Sequence, residues 1–482
     1  MQLREYQFGY ADAAKEYLLE PEIIEGAFFD PKGIINKLEK TWKYMVIGRK
    51  GVGKSAYSAK LQSISKNEGL FTTYPIPLNN FEYSIFSKTN SDSDVVGTKK
   101  YYESWTFVLL LTICKLLYID EGIKEVEKLT ELVYLLSKMG FSIEDSLSKS
   151  ITKISKLKLG ATVGIFDAVY EAEFGTKPIS YTERLSALIC KMKETIEQVY
   201  IPKKIFILID GVDDILRLKK NQLEILSSLI RSIDGLNEYL CSRQIKIKVI
   251  IFIREDIVTT ITDPDLNKIK RDGSINLSWS NNTNDLKSIV ELRFKYSNKS
   301  GDLAENKWNS IFPMKIKESD SWEYLLEHTL YKPRDVLQFL TTCQELFPDK
   351  TTLTRSDMNS ALKTYSKEYF IEEMKNELAG FASDSLITIL PSVFKKLGSR
   401  SFLVTEFMAI INQQSSSQKY TESEIKYMLL LLFEAGYIGQ LLSDTRGRAS
   451  VNFKYRNTTA NIDYAQKFIT HRGLHKGLGI II

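Results

Sequence analysis

Gly48-Arg-Lys-Gly-Val-Gly-Lys-Ser55 spells GxxxxGK[ST], and the reading of this stretch decides the fold. The run before it, Lys43-Tyr-Met-Val-Ile47, is short and apolar, as a buried strand would be. The run after it, Ala56-Tyr-Ser-Ala-Lys-Leu-Gln-Ser-Ile64, has helical spacing and no breaker. Strand, glycine loop, helix is the context in which such a loop cradles phosphates. Gly51 and Gly53 let the backbone turn so that successive N–H groups face phosphate oxygens. A helix starting near Lys54 adds the positive end of its dipole. The candidate phosphate site is therefore Gly48, Arg49, Lys50, Gly51, Val52, Gly53, Lys54, Ser55 and Ala56. Lys54 is placed to reach the outer phosphates and the Ser55 hydroxyl to ligate magnesium.

A second strand is needed to bring a carboxylate to that magnesium. Lys204-Ile-Phe-Ile-Leu-Ile-Asp-Gly-Val-Asp-Asp214 supplies it, since Ile205 to Ile209 is apolar without alternation, as a parallel strand buried on both faces requires. Asp210 falls at its C-terminal end, where ligands gather in open α/β sheets, and is the candidate magnesium partner of Ser55. Asp213 and Asp214 follow, and either is a candidate to orient an attacking water. Alone, such an acidic trio is a solvated turn; beside a phosphate loop it reads as chemistry. A further strand, Lys246-Ile-Lys-Val-Ile-Ile-Phe-Ile253, ends in Arg254. Two readings of Arg254 stay open: a group that stabilises charge on a terminal phosphate, or the partner of Glu255 or Asp256. Arg334, in Lys332-Pro-Arg-Asp335, is held at the start of an amphipathic helix by Pro333. It is either a second phosphate contact or a surface arginine.

Taken together, GRKGxGKS, DGxDD, FIRxD and PRD resemble the STAND and AAA+ division of P-loop ATPases, with Walker motifs like those of KAP and NACHT proteins. The combination is most similar to a family of stand-alone prokaryotic P-loop ATPases, several of them in antiphage defence neighbourhoods. The resemblance covers roughly residues 1 to 345. It implies an ATP-binding and ATP-hydrolysing switch with ATP and Mg2+ as cofactors, Arg254 as sensor 1 and Arg334 as sensor 2. Asp214 departs from the NACHT pattern, which has glutamate there, and this implies slower or shared water activation. No NKxD follows a strand and no LSGGQ-like signature occurs, which disfavours a guanine-specific GTPase and an ABC head. Adenine contacts are expected from Phe8 to Ile35, a segment that includes Phe28, Phe29 and Pro31.

The expected fold class is α/β, a P-loop NTPase parallel sheet flanked by helices, followed by a helical lid and a C-terminal winged-helix domain. The expected domains are an ATPase core at 1–283 with an insertion at about 119–175, a lid at 284–380 and the last domain at 381–482. Leu70 to Ile76 reads as a second strand and Ser274 to Trp279 as a fifth. Ser87 to Lys100 is polar, and 143–175 reads as a helix and hairpin. Ser383 to Leu397, Thr405 to Asn412 and Thr421 to Ala435 read as three helices, the last with a Thr421…Glu424 capping box. A β-hairpin follows, with Arg446 and Arg448 at its tip.

The 482 residues are 43% hydrophobic and 26% charged, which excludes wholesale disorder. Cys114, Cys190, Cys241 and Cys343 are scattered without a CxxC pair and read as reduced thiols. Neither Trp105 to Leu117 nor Tyr427 to Phe433 reaches the ~20 apolar residues of a spanning helix, and no leader-like run opens the chain. A cytoplasmic protein without a membrane partner is expected. The net charge of +5 is unevenly placed. From residue 445 onward, Arg446, Arg448, Lys454, Arg456, Lys467, Arg472 and Lys476 stand against Asp463 alone, a net of +6 that leaves the remaining 444 residues at −1. Expected partners are thus ATP and ADP, with a second copy of the chain or an effector protein. An alternative function is an ORC-like ATPase that binds nucleic acid through this basic tail, and another is an assembly scaffold with negligible turnover. His471 and His475 are four apart, as metal ligands on a helix can be, but no third ligand is near.

Overall fold

The computed structural model describes residues 1–78, 101–124, 126–145, 149–150, 152–153, 171–173, 175, 181–211, 220–261, 263, 265–298, 306–415, 419–443 and 449–480. The chain divides into two compact units. One comprises Met1–Lys32, Arg49–Lys60 and Leu277–Ile482, the other Gly33–Gly48 and Leu61–Asn276.

The second unit is built on a five-stranded parallel sheet. Its strands are β1 (Met45–Gly48), β2 (Phe71–Pro77), β3 (Lys204–Asp210), β4 (Ile247–Arg254) and β5 (Ser274–Asn276), in the order β2-β3-β4-β1-β5. The apolar runs become strands because both faces are covered. All of Ile205 to Ile209 is buried, as is every residue of β4 except Lys248. Burial of such a side chain is worth roughly 1.5–3 kcal/mol, against about 1 kcal/mol net for a hydrogen bond, so the apolar runs set which segments enter the sheet. Helices α2 (Tyr102–Ile119), α3 (Tyr181–Ile196) and α4 (Lys220–Ser242) supply much of the covering layer. α2 is apolar enough to pass for a spanning helix, but Trp105, Phe107, Leu110, Ile113 and Cys114 are all sealed in the core. Edge strand β2 carries Pro75 and Pro77, consistent with a strand hydrogen-bonded to one neighbour only.

The connection from β1 leaves toward β2, while that from β4 returns past β1 to β5. β1 and β4 are adjacent, so the sheet has its switch point between them, and ligands bind at the carboxyl ends of such a pair. Gly48 and Arg254 are register partners at that end.

The other unit is mostly helical. It contains α5 (Asn284–Ser297), α6 (Ser321–Leu326), α7 (Pro333–Leu346), α8 (Arg355–Tyr365), α9 (Ile371–Leu378), α10 (Asp384–Leu397), α11 (Val404–Gln414) and α12 (Glu422–Ala435). An antiparallel sheet follows, β8 (Ile438–Ser443) between β9 (Ala449–Asn452) and β10 (Lys467–Thr470), and then α13 (Arg472–Leu478). A two-stranded ribbon, β6 (Lys315–Ile316) with β7 (Ser319–Asp320), precedes α6. Three helices and three antiparallel strands thus replace the three helices and hairpin expected. β10 is the addition, reaching β8 after a long return. The amino-terminal segment is tied here too, with Leu3 N–H on the Lys350 carbonyl at 2.9 Å.

Two boundaries differ instructively from expectation. The fifth strand stops at Asn276, and Trp279 is instead buried with its indole N–H donating to the Val52 carbonyl at 2.9 Å. The helix expected over Thr405 to Asn412 runs instead from Val404 to Gln414. The stretch 87–100 and the hairpin turn at 444–448, with Arg446 and Arg448, lie outside the described residues, as does most of 143–175.

Candidate functional site

The glycine loop leaves β1 at Gly48 and enters α1 (Lys54–Asn67) at Lys54. Gly51 and Gly53 have φ of +80° and +98°, a region that costs an L side chain about 1–2 kcal/mol, which is why glycine stands at both positions. A Cβ on Gly51 would sit 3.4 Å from the Arg334 Cβ and from the Lys332 Cδ, so the loop is closely approached from the Lys332–Arg334 turn. Lys54 is buried, with its Nζ 3.3 Å from the Arg49 carbonyl. Ser55 follows it on the first turn of α1 and keeps partial exposure. This backbone, a buried ammonium and a helix start suit a polyanionic phosphate chain. The Ser55 hydroxyl and a carboxylate are the hard oxygen donors that magnesium takes.

Charged side chains of α7 and α9 converge on the same loop. Arg334 N–H reaches the Gly51 carbonyl at 3.4 Å, and its Nε donates to the Ala11 carbonyl at 3.0 Å. Lys50 pairs with Glu373 at 2.8 Å, and the Arg334 Nη1 lies 3.8 Å from the same Glu373 oxygen. Lys332 pairs with Glu377 at 2.9 Å, both side chains buried. Arg49 donates to the Ala435 carbonyl and lies over the Tyr455 ring at 5.8 Å. Asp335 is not a ligand here. It accepts from Leu330 N–H at 2.8 Å and from the Tyr369 hydroxyl at 2.9 Å, and so pins the turn that carries Lys332 and Arg334. Burial pushes its carboxyl above the usual range, with Lys332 opposing.

Lys332, Glu373 and Glu377 were not among the expected site residues. One signal for the glutamates was in the sequence. Glu373 and Glu377 are four apart on an amphipathic helix, a like-charge pair that is unfavourable unless cations face it. Lys50 and Lys332 are those cations.

In the sheet unit, Asp210 ends β3 opposite Pro77, with one carboxylate oxygen accepting from Gly211 N–H at 2.8 Å. Asp213 and Asp214 lie outside the described residues. Arg254 is buried at the tip of β4 and grips Asp256 with both nitrogens, Nε to Oδ1 at 3.0 Å and Nη2 to Oδ2 at 2.5 Å. Of its two readings, the neighbour pairing is present in this structure.

Among the described residues, four cations of the basic tail are engaged within their own unit. Lys454 donates to the Ala460 carbonyl at 2.8 Å, Lys476 to Asn359 at 2.8 Å, and Arg472 pairs with Glu327. Arg456 lies over the Tyr331 ring at 5.1 Å and the Phe453 ring at 5.4 Å while its Nε donates to the Tyr455 hydroxyl. Lys467 is exposed. His471 and His475 are both buried and serve packing: His471 accepts from Gly473 N–H on Nδ1, so its Nε2 carries the proton and donates to Tyr455 at 2.9 Å. His475 Nε2 shares a 2.7 Å hydrogen bond with the Thr470 hydroxyl. Among the described residues no group of three His, Cys, Asp or Glu could hold a metal ion.

A parallel sheet whose first strand ends in a loop of left-handed glycines, opening a helix on a buried lysine, is the fold of a P-loop NTPase. A family model described as a FunZ-associated C-terminal helical domain matches residues 284–372, the segment that carries α5 to α8. A curated relative, a putative transposon gamma-delta 80.3 kDa protein of Escherichia coli (strain K12), is 22% identical over 446 residues, or 87% of this chain. The chain spans 60% of that relative's length. Two solved structures align along most of the chain. An Orc1 protein of Aeropyrum pernix in complex with DNA covers 96% of this chain and 95% of its own at 11% identity and a TM-score of 0.41. Cdc6p of Pyrobaculum aerophilum covers 92% of each chain at 13% identity and a TM-score of 0.32.

Proposed function

We propose that this protein is an ATP-binding regulatory ATPase of the STAND and AAA+ kind, a cytoplasmic switch whose lid and C-terminal module respond to the nucleotide. The observation that carries the reading is the convergence on one glycine loop of the Lys332–Arg334 turn and the buried Lys54. In this reading residues 1–283 are the core, 284–380 the lid and 381–482 a winged-helix-like module. Gly48 to Ala56 wrap the phosphates through backbone N–H groups. Lys54 holds the outer phosphates, and Arg334 answers to the terminal one. Ser55 and Asp210 hold magnesium, which when bound neutralises phosphate charge. Asp213 or Asp214 orients the water, and Arg254 acts as a phosphate sensor once it exchanges Asp256 for that anion. Slow turnover suits a switch, which needs the ATP state to persist. An effector protein or a second copy of the chain would read the state, and a defence role is in keeping with the motif combination. The test is equilibrium binding of a fluorescent ATP analogue, followed by steady-state phosphate release. Lys54→Ala should abolish binding and Asp210→Asn should remove the magnesium dependence. Full binding by the folded Lys54→Ala chain would sink the reading.

A further inference from the structure

The phosphate loop of this chain is a site for an anion, and the structure supplies one from within. Lys50, a loop residue, lies 2.8 Å from Glu373, and Arg334 points a guanidinium nitrogen at the same oxygen from 3.8 Å. The Glu373 side chain is only 16% exposed, so water screens these attractions weakly. One turn further along α9, Glu377 holds Lys332, two residues from Arg334. Both cations nearest Glu373 belong to the site assigned above to phosphates.

We propose that Glu373 is a built-in counter-anion that competes with the nucleotide's phosphates for Lys50 and Arg334, so that nucleotide binding releases α9. The proposal rests on the nucleotide reading above and adds its regulation. A phosphate chain and a carboxylate cannot both occupy the same side of two cations without repulsion, which at a few ångströms in partly buried surroundings amounts to several kT. One of them must yield, and the phosphates bring more charge. Release of α9 would not stay local. α9 packs against α10 and α12 and continues a π-helical turn, Ser366–Phe370. In that turn Ser366 accepts from Gly477 N–H at 2.8 Å and donates to the Gly473 carbonyl, while Phe370 stacks on His471 at 5.3 Å. Single π-helical turns within α-helices occur frequently at functional sites. The acidic helix that pairs with the loop's Lys50 is thus the helix that packs against α10 and α12.

The experiment measures ADP and ATP affinity of the full chain and two variants by titration with a fluorescent analogue, alongside hydrogen exchange of α9. Glu373→Gln should bind tighter, on the order of tenfold, the usual size of such a coupling. Glu372→Gln, on the same helix but exposed and paired with Lys375, should bind as the unaltered chain does. In the unaltered chain, saturating nucleotide should raise exchange across 371–378. Unchanged or weaker affinity in folded Glu373→Gln, with the unaltered chain binding normally, overturns the proposal and leaves the nucleotide reading standing. Unchanged exchange of α9 overturns it independently of any variant. Failure of both the unaltered chain and Glu373→Gln to bind overturns the nucleotide reading and this proposal together.

Discussion

Glu377 and Lys332 show how unequal the ion pairs of this chain are. Both are sealed from water, so their attraction is strong but each depends on the other. Glu377→Ala would strand a buried ammonium beside the glycine loop and should cost roughly 3–5 kcal/mol, whereas the double change Lys332→Met with Glu377→Leu should recover most of that loss. Urea midpoints of the three chains check this, and equal midpoints for the single and double variants would refute it. Exposed pairs such as Arg4 with Asp349 should shift the midpoint by well under 1 kcal/mol. The same asymmetry separates Asp335 from Asp210. The first is enclosed and holds a turn, while the second keeps partial exposure at a strand end.

Elements vary in how much of their making is local. α12 is set by its neighbours in sequence: Thr421 accepts from Glu424 N–H, and Gly436 closes the other end at φ +90°. Thr421→Ala should therefore cost about 1 kcal/mol, read as a lowered melting temperature with faster exchange in the first turn of α12, and no change there would contradict the cap. The glycine loop, the apolar strands and the proline-led α7 were legible for the same reason, since each is decided within a few residues. What was not legible depends on distance along the chain. Glu373 meets Lys50 across more than three hundred residues, and no spacing rule links them. β10 was missed because its pairing to β8 crosses a long return. Arg254 was read with two meanings, and the local pairing with Asp256 is the one visible. Among the described residues of the basic tail, Lys454, Arg456, Arg472 and Lys476 are engaged in internal contacts. A charge tally records signs but says nothing of partners.

At the scale of the whole molecule, all three histidines gather in one unit. His328, buried with Nδ1–H donating to the Tyr324 carbonyl, has its pKa lowered to about 3 by desolvation. Desolvation first, then Arg472, lowers His475 to about 4, and His471 falls well below its ordinary value. In the unfolded chain each titrates near 6.5. Between pH 6.5 and 4 the unfolded state therefore binds more protons, so stability is present above 6.5 and is lost as pH falls. The slope should reach about 1.4 kcal/mol per pH unit for each histidine, and His475→Gln should flatten it in urea titrations from pH 7.5 to 5. A flat profile in the unaltered chain would count against neutral burial.

The strand order has a consequence in time. β1 takes its partners from Ile251 onward and Ser274 onward, and none from the residues close to it in sequence. A ribosome adding about 5–20 residues per second needs roughly ten to forty seconds to reach those partners after Met45 has emerged. Throughout that interval the strand that carries the phosphate loop is a bare apolar edge, open to any other chain. The nascent chain therefore needs chaperone cover, or its own speed, until those partners arrive.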